Sequence, residues 1–262
     1  MLDVISFVNT QKAAIAKQVE AMEVKPRMAI VTDSHNFDAN QSYIRSKTQF
    51  AMDVGIGCDV LVIDGTSKFL PKLDDYTGVI VQFPFRDYTF DEFQEFVSAY
   101  VPPVKDIDGL TYAAVHTPCT PLGIYNYIEH LRKTDDSLKG KEHLCVNVLG
   151  YGGLVGKPLV ELLKKDKRYS TVVTRSKTPE DEAKKNMEMA DIVVCATPVH
   201  NLIKYPDLSK VYVDCGCNLV NGKLLGNVSR EAYCEEANIT PVPNGVGRLT
   251  VLALFQNLLK LS

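Results

Sequence analysis

LCVNVLGYGGLVGKP, residues 144–158, is the stretch on which the fold turns. An apolar segment runs into glycines at 150, 152, 153 and 156 and then a lysine–proline pair, which reads as strand, tight turn and helix start. Gly150 is expected in a backbone conformation closed to residues with a Cβ. Gly152 and Gly153 would let main chain approach a ligand, and Gly156 would let the helix pack close on the strand. Pro158 suits a first helical turn, where its missing N–H costs nothing. The uncapped N–H groups there favour an anion such as a dinucleotide pyrophosphate. The spacing G-x-G-x-x-x-G is one residue longer than the usual fingerprint, so a plain strand-to-helix turn also accounts for the stretch.

The residues that follow extend the pattern. Leu159, Val160, Leu162 and Leu163 share a helical face between Lys157 and Asp166, and Ser170–Thr174 is a β-branched strand. Together they make a βαβ unit. Asp191–Ala196 and Val211–Asp214 are further short apolar strands, as a parallel sheet requires. The second strand of such a unit ends where an adenosine ribose lies. Arg175, Ser176 and Lys177 stand there in place of an acid, which suits a 2′-phosphate and points to NADP, with NAD as the other possibility. A solvated loop is the plainer reading of the same three residues.

With 262 residues, 45% of them apolar and 23% charged, the chain has the make-up of an ordinary soluble protein of one large or two modest domains, and its alternating strands and helices make it α/β. A net charge of −3 supplies no basic field, so no nucleic-acid partner is expected. The seven cysteines (58, 119, 145, 195, 215, 217 and 234) form no C-x-x-C pair, and most lie in apolar segments; reduced thiols, no metal and a cytoplasmic location follow as expectations. No basic leader or long apolar run predicts secretion or a membrane span.

In chain order, Asp3–Met22 reads as a helix, Arg27–Thr32 as a strand, and Ser42–Asp53 as a helix capped by Ser42 and stopped by Gly55 and Gly57. Asp59–Asp64 and Gly78–Gln82 are strands joined by a loop with Gly65 and Pro71, and Asp91–Tyr100 is a helix burying Phe93, Phe96 and Val97. Pro121–Arg132 begins another helix. Leu249–Leu261 is an apolar final helix, expected to return to the first domain.

Tyr43 and Lys47 lie four residues apart and share a helix face. Y-x-x-x-K also occurs in short-chain dehydrogenases, but there the glycine-rich loop comes first, whereas here it follows. A surface lysine beside a half-buried tyrosine is the bland alternative. The wider pattern speaks to function: SYIRSK (42–47), VQFPF (81–85), PVKDIDGL (103–110), PCTPLGI (118–124), GYGGLVGKP (150–158), ADIVVCA (190–196), VDCGCN (213–218) and TPVPNGVGRLT (240–250) occur in one order. In this the chain resembles the methylenetetrahydrofolate dehydrogenase/cyclohydrolase family across nearly its whole length.

The resemblance implies two domains. Residues 1–120 plus 241–262 would form a folate-binding catalytic α/β domain, and residues 121–240 a Rossmann-like, doubly wound parallel-sheet domain for the dinucleotide. It implies hydride transfer from 5,10-methylenetetrahydrofolate to NADP and hydrolysis of the methenyl product to 10-formyltetrahydrofolate. Tyr43 would stack on the folate, Lys47 would be the central catalytic group, Gln82 would hydrogen-bond and orient Lys47, and Asp108 would hold the amino-pyrimidine edge of the pterin. Pro243 and Gly245 would lie at the substrate. Gly150, Gly152, Gly153, Leu154, Val155, Arg175, Ser176, Gly216 and Asn218 would lie at the cofactor. A tetrahydrofolate derivative as small-molecule partner and a homodimer are also implied.

The chain departs from the family pattern in several places. Tyr151 stands where the family usually has an arginine after the first glycine, Thr197 and Pro198 replace a glycine, and Asn244 and Arg248 stand where glycine and proline are common. Arg248 would add a positive charge for a phosphate or a glutamate tail. The segments 55–82 and 109–118 are shorter than the family usually carries. A dehydrogenase with little hydrolase activity, and a folate- or nucleotide-binding protein without catalysis, therefore stand beside the bifunctional reading.

Overall fold

The computed structural model describes residues 1–262 apart from Gly65, Ser67, Lys68, Phe69, Cys217 and Glu235. The loop glycine at 65 and the cysteine at 217 thus lie outside the described residues. The chain divides into two compact units, one of residues Asn9–Cys119 and Val251–Ser262, the other of Met1–Val8 and Thr120–Thr250. This division differs from the expected boundaries at residues 1–8, 120 and 241–250. In the second unit Leu2 N donates to Ile239 O (3.1 Å), the Phe7 ring lies 5.2 Å from that of Tyr127, and the backbone of Leu249 lies where a Cβ on Gly123 would have to be.

The first unit is built on β1 (Arg27–Asp33), flanked in parallel by β2 (Gly57–Ile63) and β3 (Gly78–Val81). Met28–Val31 are fully buried because the central strand of a parallel sheet is covered on both faces. Helix α1 (Val4–Glu20) precedes the sheet, α2 (Phe37–Val54) links β1 to β2, and α3 (Phe90–Tyr100) sets Phe93, Phe96 and Val97 against Val31, Val79 and Val81. Helix α3 opens on a capping box of Thr89 and Glu92.

Helix α2 starts five residues before the expected Ser42. Its first turn buries a polar residue, Asn40, whose side chain donates to Thr32 Oγ1 (3.1 Å) and Pro84 O (2.8 Å). Polar contacts of this kind are invisible to a search for apolar periodicity. The end of the chain supplies another. Asn257, fully buried, donates to Ile107 O (3.1 Å) and Thr117 O (3.0 Å), while Phe255 stacks on Phe50 at 4.4 Å.

The second unit carries α4 (Cys119–Thr134), then β4 (Leu144–Leu149), α5 (Gly156–Lys164), β5 (Tyr169–Thr174), α6 (Glu180–Met189), β6 (Ile192–Cys195) and β7 (Val211–Asp214). The strands are parallel in the order β5-β4-β6-β7. Helix α4 begins two residues before the expected Pro121, which falls in its first turn where no N–H is needed. Helix α6 buries only Asn186, so its sequence periodicity is faint. A hairpin of β8 (Asn218–Val220) and β9 (Lys223–Leu225) turns through Asn221 and Gly222, both at positive φ. The final helix, α7 (Val246–Leu259), starts three residues earlier than expected.

From β4 the chain proceeds to one edge of this sheet and from β6 to the other, so their carboxyl ends bound a topological switch point, where open α/β sheets bind ligands. Gly150 occupies it. Its φ is +90°, its N–H reaches Thr174 O (3.3 Å), and an added Cβ would collide with the carbonyl of Ala196. Gly150→Ala should therefore lower stability by about 2 kcal/mol or more. A thermal melt within error of the parent would show that the loop can relax around a side chain.

Candidate functional site

In the first unit the α2 helix presents Tyr43 and Lys47 from successive turns. Tyr43 is 48% exposed while Lys47 is 7% exposed, its aliphatic stem sunk toward the sheet. Lys47 Nζ donates to Gln82 Oε1 at 2.6 Å. Gln82, also 7% exposed, follows β3 directly, and its backbone N–H continues the ladder by donating to Val31 O (2.8 Å). Its Nε2 donates to Phe83 O (2.6 Å), which leaves Oε1 facing the lysine. An ammonium has three N–H donors, so one bond to Gln82 leaves two for other acceptors.

The two acids of KDIDG do different work. Asp106 is buried and its carboxylate accepts backbone N–H groups from Asp108 (3.2 Å), Gly109 (2.9 Å), Leu110 (2.7 Å) and Thr111 (2.7 Å). It fixes the loop. Gly109 needs its φ of +74°, because the backbone of His116 and Pro118 crosses directly beside it. The half-buried Asp108 is thereby held with its carboxyl in a setting where burial pushes its pKa up and the charge of Lys47 pulls it down. The same lysine opposes the rise that burial imposes on the thiols of Cys58, pushed up to about 11, and Cys119. Lys47, Gln82 and Asp108 are thus gathered in one unit, with Tyr43 one helical turn from the lysine.

The second unit holds the glycine-rich loop. Glycines 150 and 156 are required by the fold, since a Cβ on Gly156 would strike the loop's own backbone at Gly150 and Tyr151. Gly152 is different: a Cβ there would meet nothing within 4 Å, and at Gly153 the nearest atom is Gly150 O at 3.5 Å. Gly152, Gly153 and Leu154 are exposed and Val155 is the half-buried residue before α5, whose first turn has no side-chain cap. Open space above bare N–H groups at a helix start fits a pyrophosphate. Arg175 and Ser176 are exposed at the end of β5, and the Arg175 guanidinium carbon lies 4.5 Å from the centre of the Tyr151 ring. These residues fit a nicotinamide dinucleotide.

Other expected positions also make contacts within the chain. At Gly216 the space for a Cβ is taken by the backbone of Gly226 and Asn227 (2.6 Å to Asn227 N), and at Gly245 by the carbonyl of Pro241. Both glycines therefore admit chain against chain. Asn218 opens the β8–β9 hairpin, its side chain donating to Leu225 O (3.4 Å). Pro243 follows a cis peptide bond and, like Gly245, belongs to the unit of the glycine-rich loop. Arg248, exposed, donates to Asn244 Oδ1 (3.2 Å).

Two buried polar residues to which the sequence reading assigns no role organise this end of the sheet. The buried carboxylate of Asp214 accepts N–H groups from Gly216 (2.8 Å), Asn227 (2.9 Å) and Val228 (2.8 Å). Buried Asn227 donates to Thr197 Oγ1 (2.8 Å), Thr197 O (2.9 Å) and Val199 O (2.5 Å). The turn at Thr197 and Pro198, where a glycine was expected, is therefore held by an asparagine side chain. The glycine next to it, Gly226, was a usable signal, since a Cβ there would collide with Asp214. Among the described residues the cysteines 58, 119, 145, 195, 215 and 234 are free thiols, no group of acids, histidines or cysteines could hold a metal ion, and no helix is long and apolar enough to cross a membrane.

Comparison with known proteins agrees with this arrangement. Residues 118–262 match the family model described as tetrahydrofolate dehydrogenase/cyclohydrolase, NAD(P)-binding domain. The chain is 34% identical to the bifunctional protein FolD of Bacillus licheniformis, over 95% of this chain and 92% of that one, and 32% identical to that of Bacillus subtilis, over 95% and 93%. The fold is shared with a 5,10-methylenetetrahydrofolate dehydrogenase from the silkworm, Bombyx mori (TM-score 0.80, 23% identity, 100% of this chain and 97% of that one). It is shared also with the dehydrogenase-cyclohydrolase of Trypanosoma brucei, whose structure holds NADP and an inhibitor (TM-score 0.79, 22% identity, 100% and 96%). With the glycine loop at the switch point and relatives matched end to end, the chain belongs to the tetrahydrofolate dehydrogenase/cyclohydrolase family.

Proposed function

We propose that this protein is a bifunctional one-carbon enzyme, which oxidises 5,10-methylenetetrahydrofolate to the 5,10-methenyl form with NADP and hydrolyses that product to 10-formyltetrahydrofolate. The observation that carries the reading is the buried Lys47 ammonium bonded to Gln82, with Asp108 within reach of its charge. The unit of Lys47 takes the folate and the unit of the glycine-rich loop takes the dinucleotide. When bound, the nicotinamide supplies the hydride acceptor.

The chain's own groups bind, orient and move protons. Tyr43 offers the face of its exposed ring to the aminobenzoyl group. Asp108, as a carboxylate, accepts two N–H groups from the amino-pyrimidine edge and so fixes the pterin's orientation as well as its affinity. Lys47 points at the reacting carbon and its ring nitrogens. As an amine, having lost its proton to solvent, it takes a proton from the water that adds to the carbon, and as the ammonium so formed it gives that proton to the ring nitrogen whose bond to the carbon breaks. Gln82 sets the lysine's direction. The main-chain N–H groups of Gly152 and of 154–156, with Arg175 and Ser176, hold the phosphates, while the Gly153 N–H closes the loop on Gly150 O. By analogy with the family, we expect a cytoplasmic homodimer paired through the nucleotide-binding unit, an assembly that light scattering of the purified chain would detect.

Purified protein given methylenetetrahydrofolate and NADP should build methenyl absorbance and then lose it. Formation without accelerated loss would leave only the dehydrogenase, and saturable folate binding without turnover would leave only a binding protein. Lys47→Met should cut hydrolysis by about a hundredfold or more with the melting profile retained; unchanged hydrolysis would remove the lysine from the mechanism. Because burial raises the Asp108 pKa, the ionised form that grips the pterin is lost, as pH falls, at a higher pH than an exposed aspartate would lose it. Folate affinity should therefore weaken on the acid side while this group stays ionised on the alkaline side, and Asp108→Asn should abolish that limb as well as weaken binding. An acid limb that persists in the variant belongs to another group.

A further inference from the structure

The residue after the first glycine of the loop is an aromatic one, and it touches a basic side chain from the adjoining strand end. Arg175 lies one position beyond β5, and its guanidinium sits over the Tyr151 ring at 4.5 Å. The backbone on both sides is fixed. Gly150 N donates to Thr174 O (3.3 Å), Arg175 N donates to Thr178 Oγ1 (2.9 Å), and Thr178 N donates to Arg175 O (3.0 Å). Among the described residues Arg175 forms no salt bridge, and the strand end, TRSKT, contains no acid that would suit a free ribose hydroxyl.

We propose that Tyr151 and Arg175 act together as the element that selects a 2′-phosphorylated nucleotide, Arg175 binding the phosphate and Tyr151 positioning it. The inference rests on the reading of this loop as a dinucleotide site. Stacking engages the face of the guanidinium, and its in-plane N–H groups, the ones that match phosphate geometry, remain around the edge. A long side chain on an exposed strand end loses rotamer freedom on binding, and a ring that already holds it flat removes part of that cost. An arginine carried by the loop itself would need no such support, whereas one reaching from the neighbouring strand does. Tyrosine at 151 and arginine at 175 are thus two halves of one device.

The test uses adenosine 2′,5′-bisphosphate and 5′-AMP as probes of the full-length chain by calorimetry, with dehydrogenase rates for NADP and NAD measured alongside. The parent should prefer the bisphosphate. Arg175→Ala should weaken it by about 10- to 100-fold, the range for a charge-assisted bond to phosphate, and Arg175→Lys should recover only part of that. Tyr151→Leu should weaken it by about two- to fivefold, as loss of a cation–π contact does, while Tyr151→Phe, which keeps the ring, should bind as the parent does. Tyr151→Leu added to Arg175→Ala should cost nothing more. A parent without preference, an Arg175→Ala variant that keeps it, or a Tyr151→Phe variant as weak as Tyr151→Leu would each overturn the proposal. Absence of turnover with either nucleotide, with the bisphosphate pattern intact, would sink the enzymatic reading and leave the selecting pair standing.

Discussion

Three buried aspartates hold the loops at the ends of the parallel strands. Asp33, Asp106 and Asp214 each gather three or four backbone N–H groups from segments that have no regular partner. A parallel sheet closes its own hydrogen bonds within the strands and leaves the turns above its carboxyl edge to find acceptors elsewhere. A carboxylate meets that demand several times over from one side chain. Without these anchors the chemistry-bearing residues would sit on loose chain, and the placement of Asp108 depends directly on the one next to it but one.

The two halves of the molecule solve the same problem with different ligands in view. Where the folate is expected, the sheet edge presents charge set in a buried surround: a lysine, a glutamine and an aspartate, each tied to the backbone or to one another. Where the dinucleotide is expected, it presents bare peptide N–H groups and open space at Gly152. Side chains in the first case, their absence in the second, follow from what each ligand offers, a heterocycle with distinct donors against a phosphate with a diffuse charge.

The sequence carried the strands well, because Met28–Val31, Val79–Val81 and Ile192–Val194 are continuous apolar runs, and it carried the glycine-rich turn because Gly150 has no substitute. The cluster of Lys47, Gln82 and Asp108 was legible only through the order of several motifs; a lysine on a helix says little alone. What stayed hidden was polar burial. Asn40, Asp106, Asp214, Asn227 and Asn257 look like surface residues in a one-dimensional pattern, and each is instead an interior hydrogen-bond hub. The early start of α2 is hidden for the same reason. The β8–β9 hairpin has a clear marker in the adjacent Asn221 and Gly222. Gly216 and Gly245 each admit a neighbouring stretch of backbone, a requirement that the sequence pattern does not display.

Each unit is assembled from pieces far apart along the polypeptide, and the last of these pieces is the final helix. The segment from Val251 onward brings Phe255 and Asn257 into the unit of Lys47, while the stretch just before it belongs to the other. A ribosome that has made the first two hundred residues has therefore completed neither core. Each must wait for residues beyond that point, up to Thr250 in one case and from Val251 onward in the other, so a nascent chain of this kind carries its apolar strands unfinished for longer than two domains strung in series would.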